Sequence, residues 1–293
     1  MFELIGIPPQ ALFGQLLLGL INGAFYAMLS LGLAVIFGML NVINFTHGAQ
    51  YMMGAFAAWL MLGILDVPFW ASLVLAPIIV GLIGVALERL FLKRIYHLDH
   101  LYGFLLTFGM ALVIEGMFQW KWGSSGAPYP NPIAGGYNLG FMFMPTYRAF
   151  VVVAALVICL ATWYGIERTK LGAYLRAATE NPTLVRAFGI NVPRLITLTY
   201  GLGVGLAALA GVLAAPIQQV SALMGTNLVL VVFAVVVIGG MGSIMGSIVT
   251  GFGLGLIEGL TKVFYPPASN TVIFVVMALV LLIKPAGLFG QTK

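Results

Sequence analysis

The feature that most constrains this chain is a series of long apolar segments that follow one another from end to end. About 20 apolar residues span the hydrocarbon core of a bilayer, and most of these segments approach or exceed that length. Backbone polar groups in lipid must be satisfied within the protein, so helices, or broken helices buried in protein, are predicted. The segments lie at 11–37, 41–64, 69–90, 101–119, 147–166, 195–215, 227–240, 244–261 and 271–284.

Composition agrees with this interpretation, since 61% of the residues are hydrophobic and only 7% are charged. Soluble domains carry about a quarter charged residues. We therefore predict an all-α integral membrane protein, a polytopic bundle of about eight to nine transmembrane helices in a single domain over residues 1–293. Glycine and polar residues interrupt 11–64 and 227–261, which predicts re-entrant or half-spanning elements there.

The basic residues predict how the chain crosses the membrane. The net charge of +5 indicates topology rather than a nucleic-acid partner, because Lys and Arg gather on the cytoplasmic side. Nine segments then place the N-terminus outside and the C-terminus inside. The basic residues assigned to the inside are Arg89, Lys93 and Arg94 with Glu88 in a first inner loop, five in the 167–194 loop, and Lys284 and Lys293. Those left outside are Lys121, Arg148 and Lys262.

The second inner loop, 167–194, carries signals for short helices. Asn181 is a strong N-cap, Pro182 is favoured at the first helical position, and Gly189 suits a left-handed C′ position. A helix is predicted over 182–188, and a second over 171–179. Two turns do not persist alone in water, so the shorter helix must pack on something. Two interpretations stay open: insertion into a partner's groove, or a loop that caps the bundle.

Three motifs in register resemble a known family. The first is Asn22-Gly23-x-x-Tyr26-Ala27, Gly32-Leu33, Phe37-Gly38 and Asn44-Phe45-x-His47-Gly48. It is similar to the N-terminal signature of the LivH-type branched-chain amino acid permeases, which are membrane subunits of bacterial ABC importers. The segment RAATENPTLVRAFGINVPR (176–194) resembles that family's ATPase-contacting loop, and VVIGGMGSIMGSIVTG (236–251) resembles its glycine-rich signature.

The resemblance implies partners for this chain. Two ATPase subunits would press on the inner loop, a periplasmic or extracellular binding protein would deliver substrate at the outer face, and a second permease subunit, homologous to this one, would complete the pathway. The chain would lie in the bacterial inner membrane among its lipids. ATP would be bound by the partners and no cofactor by this chain, none of whose six lysines lies in a GxxxxGK[ST] motif. The residues implied in ATPase coupling are Arg176, Ala177, Ala178, Glu180, Asn181, Pro182, Arg186 and Gly189.

Polar residues inside apolar segments are the candidates for a translocation pathway. Asn44, His47 and Tyr51 would share a face of a helix, as would Asn22, Tyr26 and Ser30. Structural hydrogen bonding explains these residues equally well. Glu115 and Glu258 are each compatible with an interfacial or ion-paired position, or with a position on the pathway. The residues assigned to the pathway are Asn22, Tyr26, Asn44, His47, Tyr51, Gly239, Gly240, Gly242 and Ser243.

The sequence contains no arrangement typical of an enzyme and no metal-ligand cluster. We therefore expect a permease that moves leucine, isoleucine and valine inward by ATP-driven alternating access. Permeases for urea, amides or other amino acids remain open alternatives. So does a stand-alone ion-coupled secondary transporter, although that class needs a site for a coupling ion or proton, and intramembrane carboxylates are scarce here.

Overall fold

The computed structural model describes residues 8–40 and 44–290, except the side chain of Met39. Within them the chain is almost entirely helical, as predicted. The helices in chain order are α1 (Pro9–Leu40), α2 (Thr46–Leu65), α3 (Phe69–Leu90), α4 (His100–Trp122), α5 (Thr146–Glu167), α6 (Lys170–Glu180), α7 (Pro182–Ala187), α8 (Val192–Ala214), α9 (Met224–Gly239), α10 (Ile244–Phe264) and α11 (Val272–Ile283). Short 3₁₀ helices occupy Leu92–Arg94 and Pro266–Ala268.

Seven of these helices are long and apolar enough to cross a membrane, and two shorter apolar helices, α9 and α11, accompany them. At 1.5 Å per residue, the 16 residues of α9 extend about 24 Å and the 12 of α11 about 18 Å. Neither reaches the roughly 30 Å of a hydrocarbon core. The prediction of an all-α polytopic membrane protein with interrupted elements is therefore confirmed, with nine apolar helices among the described residues.

Helix α1 is the centre of the bundle. It carries no charged residue, and nearly every side chain from Ile21 to Ile36 is buried. It packs against α10, α8, α5 and α9. Helix α1 thus occupies the interior, while α3, α4 and α5 expose most of their apolar side chains at the periphery.

Glycines bring the central helices into contact. A Cβ added at Gly19 would lie 2.4 Å from the carbonyl oxygen of Gly255, and one at Gly23 3.0 Å from Cα of Phe252. On another face of α1, a Cβ at Gly32 would lie 2.7 Å from the carbonyl oxygen of Gly203. Gly19 and Gly23 of α1 are four residues apart, as are Gly255 and Gly259 of α10, and small residues at this spacing let helix backbones approach closely in lipid. Gly203 of α8 packs on α1 in the same way.

The two ends of the bundle differ in structure. One end carries a short antiparallel hairpin of β1 (Gly136–Asn138) and β2 (Phe143–Pro145) between α4 and α5, and we call it the hairpin end. The other carries α6 and α7, and we call it the α6–α7 end. The break between α9 and α10 and the last turn of α1 also lie at the α6–α7 end, because Gly38, Gly242 and Arg176 line one small cavity there.

Candidate functional site

The predicted short helix in the inner loop is present and is capped as expected. The side chain of Asn181 accepts a hydrogen bond from the backbone N–H of Leu184 at 2.9 Å, and Pro182 occupies the first helical turn. Gly189 has φ +82°, and its N–H donates to the carbonyl oxygen of Arg186 at 2.9 Å. The helix ends at Ala187, one residue before the predicted end.

Helices α6 and α7 are held on the bundle by a small apolar cluster. Leu175, Ala178 and Val185 are buried there with Val192 and Leu195 of α8. Of the residues assigned to coupling, Ala178 therefore lies inside this cluster and cannot contact a partner directly. Its small side chain lets α6 approach its neighbours.

A groove open to the surroundings runs along α6 and α7 beside this cluster, and Val185 borders both. It has a volume of about 490 Å³, and its lining residues include Ala177, Glu180 and Asn181. Phe188 and Leu184 also line it, and they are 77% and 54% exposed. Exposed apolar residues beside charges, on a loop outside the spans, are typical of a protein-binding surface. We call this surface the α6–α7 groove. Arg186 is exposed on α7 and Pro182 at its start, but neither lines the groove.

Arg176 connects this loop to the bundle. Its guanidinium donates to the carboxylate of Glu167 and to the carbonyl oxygen of Ile166, both at 3.2 Å. Arg176 and Glu167 line a cavity of about 100 Å³ together with Gly38 of α1 and Gly242. Since both charged side chains are about half exposed, this ion pair contributes little stability. Its position beside the interrupted helices is the informative feature.

The glycine-rich signature forms the break between α9 and α10. Gly239 ends α9, and Gly240 and Gly242 have φ +100° and +83°, which favour glycine. Ser243 then caps α10 by accepting a hydrogen bond from the N–H of Gly246 at 3.1 Å. A Cβ at Gly242 would lie 3.1 Å from Cα of Gly38, so this break packs directly on α1.

The second predicted break, between α1 and α2, leads into a buried polar network. Residues 41–43 lie outside the described residues. Asn44 precedes α2 and donates to Gln50 at 3.4 Å, while Gln50 donates to Thr46 and to the hydroxyl of Tyr200, each at 3.2 Å. Thr46 also donates to Asn44. These side chains are fully buried or nearly so, and their mutual bonds satisfy polar groups in an apolar surrounding.

Asn44, His47 and Tyr51 do not act as one polar stripe. Asn44 lies before the helix and turns to Gln50. His47 Nε2 donates to the carbonyl oxygen of Leu29 at 2.9 Å, whereas Tyr51 donates to Gln218 at 3.3 Å. The interpretation of a shared helical face is wrong for Asn44, because α2 begins two residues later, at Thr46. All three side chains are buried in the structure.

Asn22 and Tyr26 meet an acidic residue from the far end of the chain. The Tyr26 hydroxyl donates to Glu258 at 2.6 Å, and Asn22 Nδ2 donates to the same carboxylate at 3.5 Å. Lys262, one turn further along α10, forms an ion pair with Glu258. Ser30, assigned to the same stripe, instead donates to the backbone carbonyl oxygens of Ala27 at 3.1 Å and Ser247 at 3.3 Å. Tyr26 and Glu258 line a cavity of about 470 Å³.

Glu88 was expected in the first inner loop, and this expectation is wrong. It lies in α3 and is 1% exposed. Its carboxylate accepts hydrogen bonds from Tyr96 and Thr197, each at 2.9 Å. Burial, followed by the negative charge of Glu88, raises the pKa of Tyr96, which keeps this hydroxyl a donor. Sequence reasoning also missed Gln50 and Tyr200, whose position within apolar segments was the available signal.

Within residues 8–40 and 44–290, no three His, Cys, Asp or Glu side chains come together as a metal site. His97, Asp99 and His100, which are close together in the sequence, form no such group. Asp99 instead caps α4 by accepting from the N–H of Leu101 at 2.9 Å.

Comparison with known proteins identifies the family. The family model described as the permease component of the branched-chain amino acid transport system matches the sequence of residues 15–282. The permease protein LivH of the high-affinity branched-chain amino acid transport system of Escherichia coli K12 is 28% identical over 295 residues, covering 95% of this chain and 96% of that protein. The corresponding BraD protein of Pseudomonas aeruginosa is also 28% identical, over 294 residues with the same coverage.

A more distant likeness is confined to part of the chain. The ribose import permease protein RbsC of Escherichia coli K12 is 33% identical over 107 residues, a third of each protein. The family match, in contrast, extends over nearly all of the spans described above. This chain therefore belongs to the LivH-type family of branched-chain amino acid transport permeases, and it is a multi-pass membrane protein.

Proposed function

We propose that this chain is a membrane subunit of a bacterial ABC importer for leucine, isoleucine and valine. Two ATPase subunits would dock on the α6–α7 groove at the cytoplasmic face, and an external binding protein would deliver substrate. A second permease subunit would complete the pathway in the inner membrane. Family membership supports the substrate class, since the relatives' names include branched-chain amino acid transport.

The observation that carries the coupling part of this proposal is the contact between the loop and the interrupted helices. Arg176 of α6 and Glu167 of α5 line the same small cavity as Gly38 and Gly242. A partner that moves α6 therefore acts at once on the last turn of α1 and on the α9–α10 break. Backbone with positive φ at Gly240 and Gly242 can serve as a hinge, because glycine adopts several backbone conformations at low cost.

The mechanism we propose is alternating access. ATP binding would bring the two ATPases together, and α6 and α7 would move with them. The helix ends at the α6–α7 end would then close or open the pathway on that side. Broken helices near a pathway are a recurring device of transporters, because their free backbone groups line a cavity instead of lipid. No step of chemistry is assigned to this chain, which acts as a permease.

The test is uptake of radiolabelled leucine into proteoliposomes that contain this chain and its co-purified partners. ATP and the binding protein are each supplied or withheld. We expect uptake only when both are present. Uptake by this chain alone under an ion gradient would contradict the proposal and identify a secondary transporter. A complex that hydrolyses ATP but takes up urea or an amide instead of leucine would revise the substrate.

A further inference from the structure

The cavity around Glu258 combines a buried carboxylate with two asparagine amides and apolar side chains. Its volume is about 470 Å³, within the roughly 300–1,000 Å³ of small-molecule sites. It lies toward the hairpin end of the bundle: Glu258 is near the end of α10, and the start of α1 packs on the loop between the strands through Phe13 and Phe141.

A buried charge is the first notable component. The side chain of Glu258 is only 6% exposed and belongs to a segment of spanning length. Burying a carboxylate is costly unless it is paired and hydrogen-bonded. Lys262 supplies the pairing, and the hydroxyl of Tyr26 and the amide of Asn22 supply hydrogen bonds. A carboxylate kept at this depth by partners from two helices is a candidate for function.

Free polar groups are the second component. Asn227 of α9 and Asn270, which precedes α11, both line the cavity and are exposed. An exposed amide within the first turn of an apolar helix such as α9 suits a water-filled path better than lipid. Lys262 does not itself line the cavity, but it is bonded to Glu258, which does. Its ammonium group is 34% exposed and has donor capacity beyond Glu258, because an ammonium group has three donors. The rest of the cavity is apolar and includes Val231, Ile273 and Phe274.

We infer that this cavity binds the zwitterionic head group of the transported amino acid on the outer part of its path. Glu258 would accept from the substrate ammonium group, Lys262 and the asparagine amides would donate to its carboxylate, and the apolar residues would contact its branched side chain. This inference rests on the proposed function, because it names the point at which that substrate contacts this chain.

The ion pair explains why a zwitterion fits better than other solutes. Glu258 and Lys262 together carry no net charge, and a zwitterion carries none either. The substrate can insert between them and leave each charge with an opposite partner. An anion that pairs with Lys262 would leave the buried carboxylate of Glu258 unpaired, which is strongly unfavourable. A cation that pairs with Glu258 would leave Lys262, which is 34% exposed, without an ionic partner. Urea, simple amides and sugars can hydrogen-bond to these two side chains, but they bring no opposite charge to either of them.

The first test measures transport by the complete complex with Glu258→Gln and, separately, Lys262→Met. We expect ATP- and binding-protein-dependent leucine uptake to fall at least tenfold in both, while ATP hydrolysis and complex assembly persist. Glu115→Gln is the matched control, because Glu115 also accepts a side-chain hydrogen bond, from Thr226, but does not line the cavity. Uptake at the control's rate in both variants would overturn the inference.

The second test detects occupancy of the cavity without relying on transport. Leu230 lines it and is 56% exposed, and the single native cysteine, Cys159, is buried. In the complex carrying Leu230→Cys, the rate of modification by a charged methanethiosulfonate reagent is measured with and without leucine. We expect leucine to slow it at least fivefold. Neither 4-methylpentanoate, which lacks the ammonium group, nor leucinamide, which lacks the carboxylate, should do so.

The two tests separate the site from the proposed function. Protection by leucine that disappears in Glu258→Gln supports the site. If wild-type uptake then proves independent of ATP, only the importer proposal is contradicted. A complex that imports leucine with ATP but shows no protection overturns the site alone. Equal protection by all three compounds, or no labelling of Leu230→Cys without leucine, also overturns it.

Discussion

Single residues in this protein are constrained mainly by backbone contact between helices. At Gly54 of α2, an added Cβ would lie 2.2 Å from the carbonyl oxygen of Ala208, and at Gly211 of α8 it would lie 2.0 Å from that of Tyr51. Both clashes are with backbone, which cannot rotate away as a side chain does. Since lipid provides no hydrophobic force between helices, such close packing supplies much of their association.

Gly54→Ala is therefore expected to destabilise the protein. Overpacking costs roughly 1–3 kcal/mol, so the midpoint of thermal unfolding in detergent should fall. Gly63→Ala is the matched control in the same helix, since no atom beyond the adjacent backbone of that helix and the two neighbouring residues lies within 4 Å of its added Cβ. That substitution removes the helix penalty of glycine, about 1 kcal/mol, and should leave the midpoint unchanged or raise it. Equal midpoints for the two variants would contradict the packing described here.

At the scale of elements, structure that depends on neighbouring residues was predictable from the sequence, whereas contacts between distant residues were not. Asn181, Pro182 and Gly189 predicted α7 because capping depends on neighbours in sequence. The partner of Tyr26 is 232 residues away, and no periodicity in one segment identifies it. Glu88 was misplaced for the same reason: Thr197, one of its two donors, is 109 residues distant.

The α6–α7 groove makes a prediction about the partner ATPases. Phe188 and Leu184 line the groove and are largely exposed, so truncation to alanine should leave the fold intact. Buried aromatic anchors at interfaces contribute about 2 kcal/mol or more, and ATPase affinity should therefore fall roughly thirtyfold in Phe188→Ala. The measurement is binding of purified ATPase subunits to the permease in nanodiscs.

Leu171→Ala provides the comparison for that experiment. Leu171 is an exposed residue of α6, but it does not line the groove, and its variant should bind the ATPases normally. If Phe188→Ala and Leu184→Ala also bind normally, the ATPases dock elsewhere. The coupling route through Arg176 would then lose its support.

The whole molecule is organised around one charge-free helix. Helix α1 lies in the interior, and the glycines of α8 and α10 allow both of these helices to approach it closely. Apolar length and composition were sufficient to predict nine helical segments. They could not predict which of them is central, because burial depends on how all the segments pack together. What the sequence does predict at this scale is orientation, through its basic residues.

Single-cysteine labelling tests that orientation. Ser125 precedes the hairpin and Thr183 lies in α7; both are exposed, whereas the native Cys159 is buried. Nine of the twelve basic residues that the structure describes fall on the side of α6 and α7, which the positive-inside rule assigns to the cytoplasm. A membrane-impermeant maleimide should therefore label Ser125→Cys in intact spheroplasts, and Thr183→Cys only after permeabilisation. The reverse pattern would place the α6–α7 groove outside, where no ATPase could reach it.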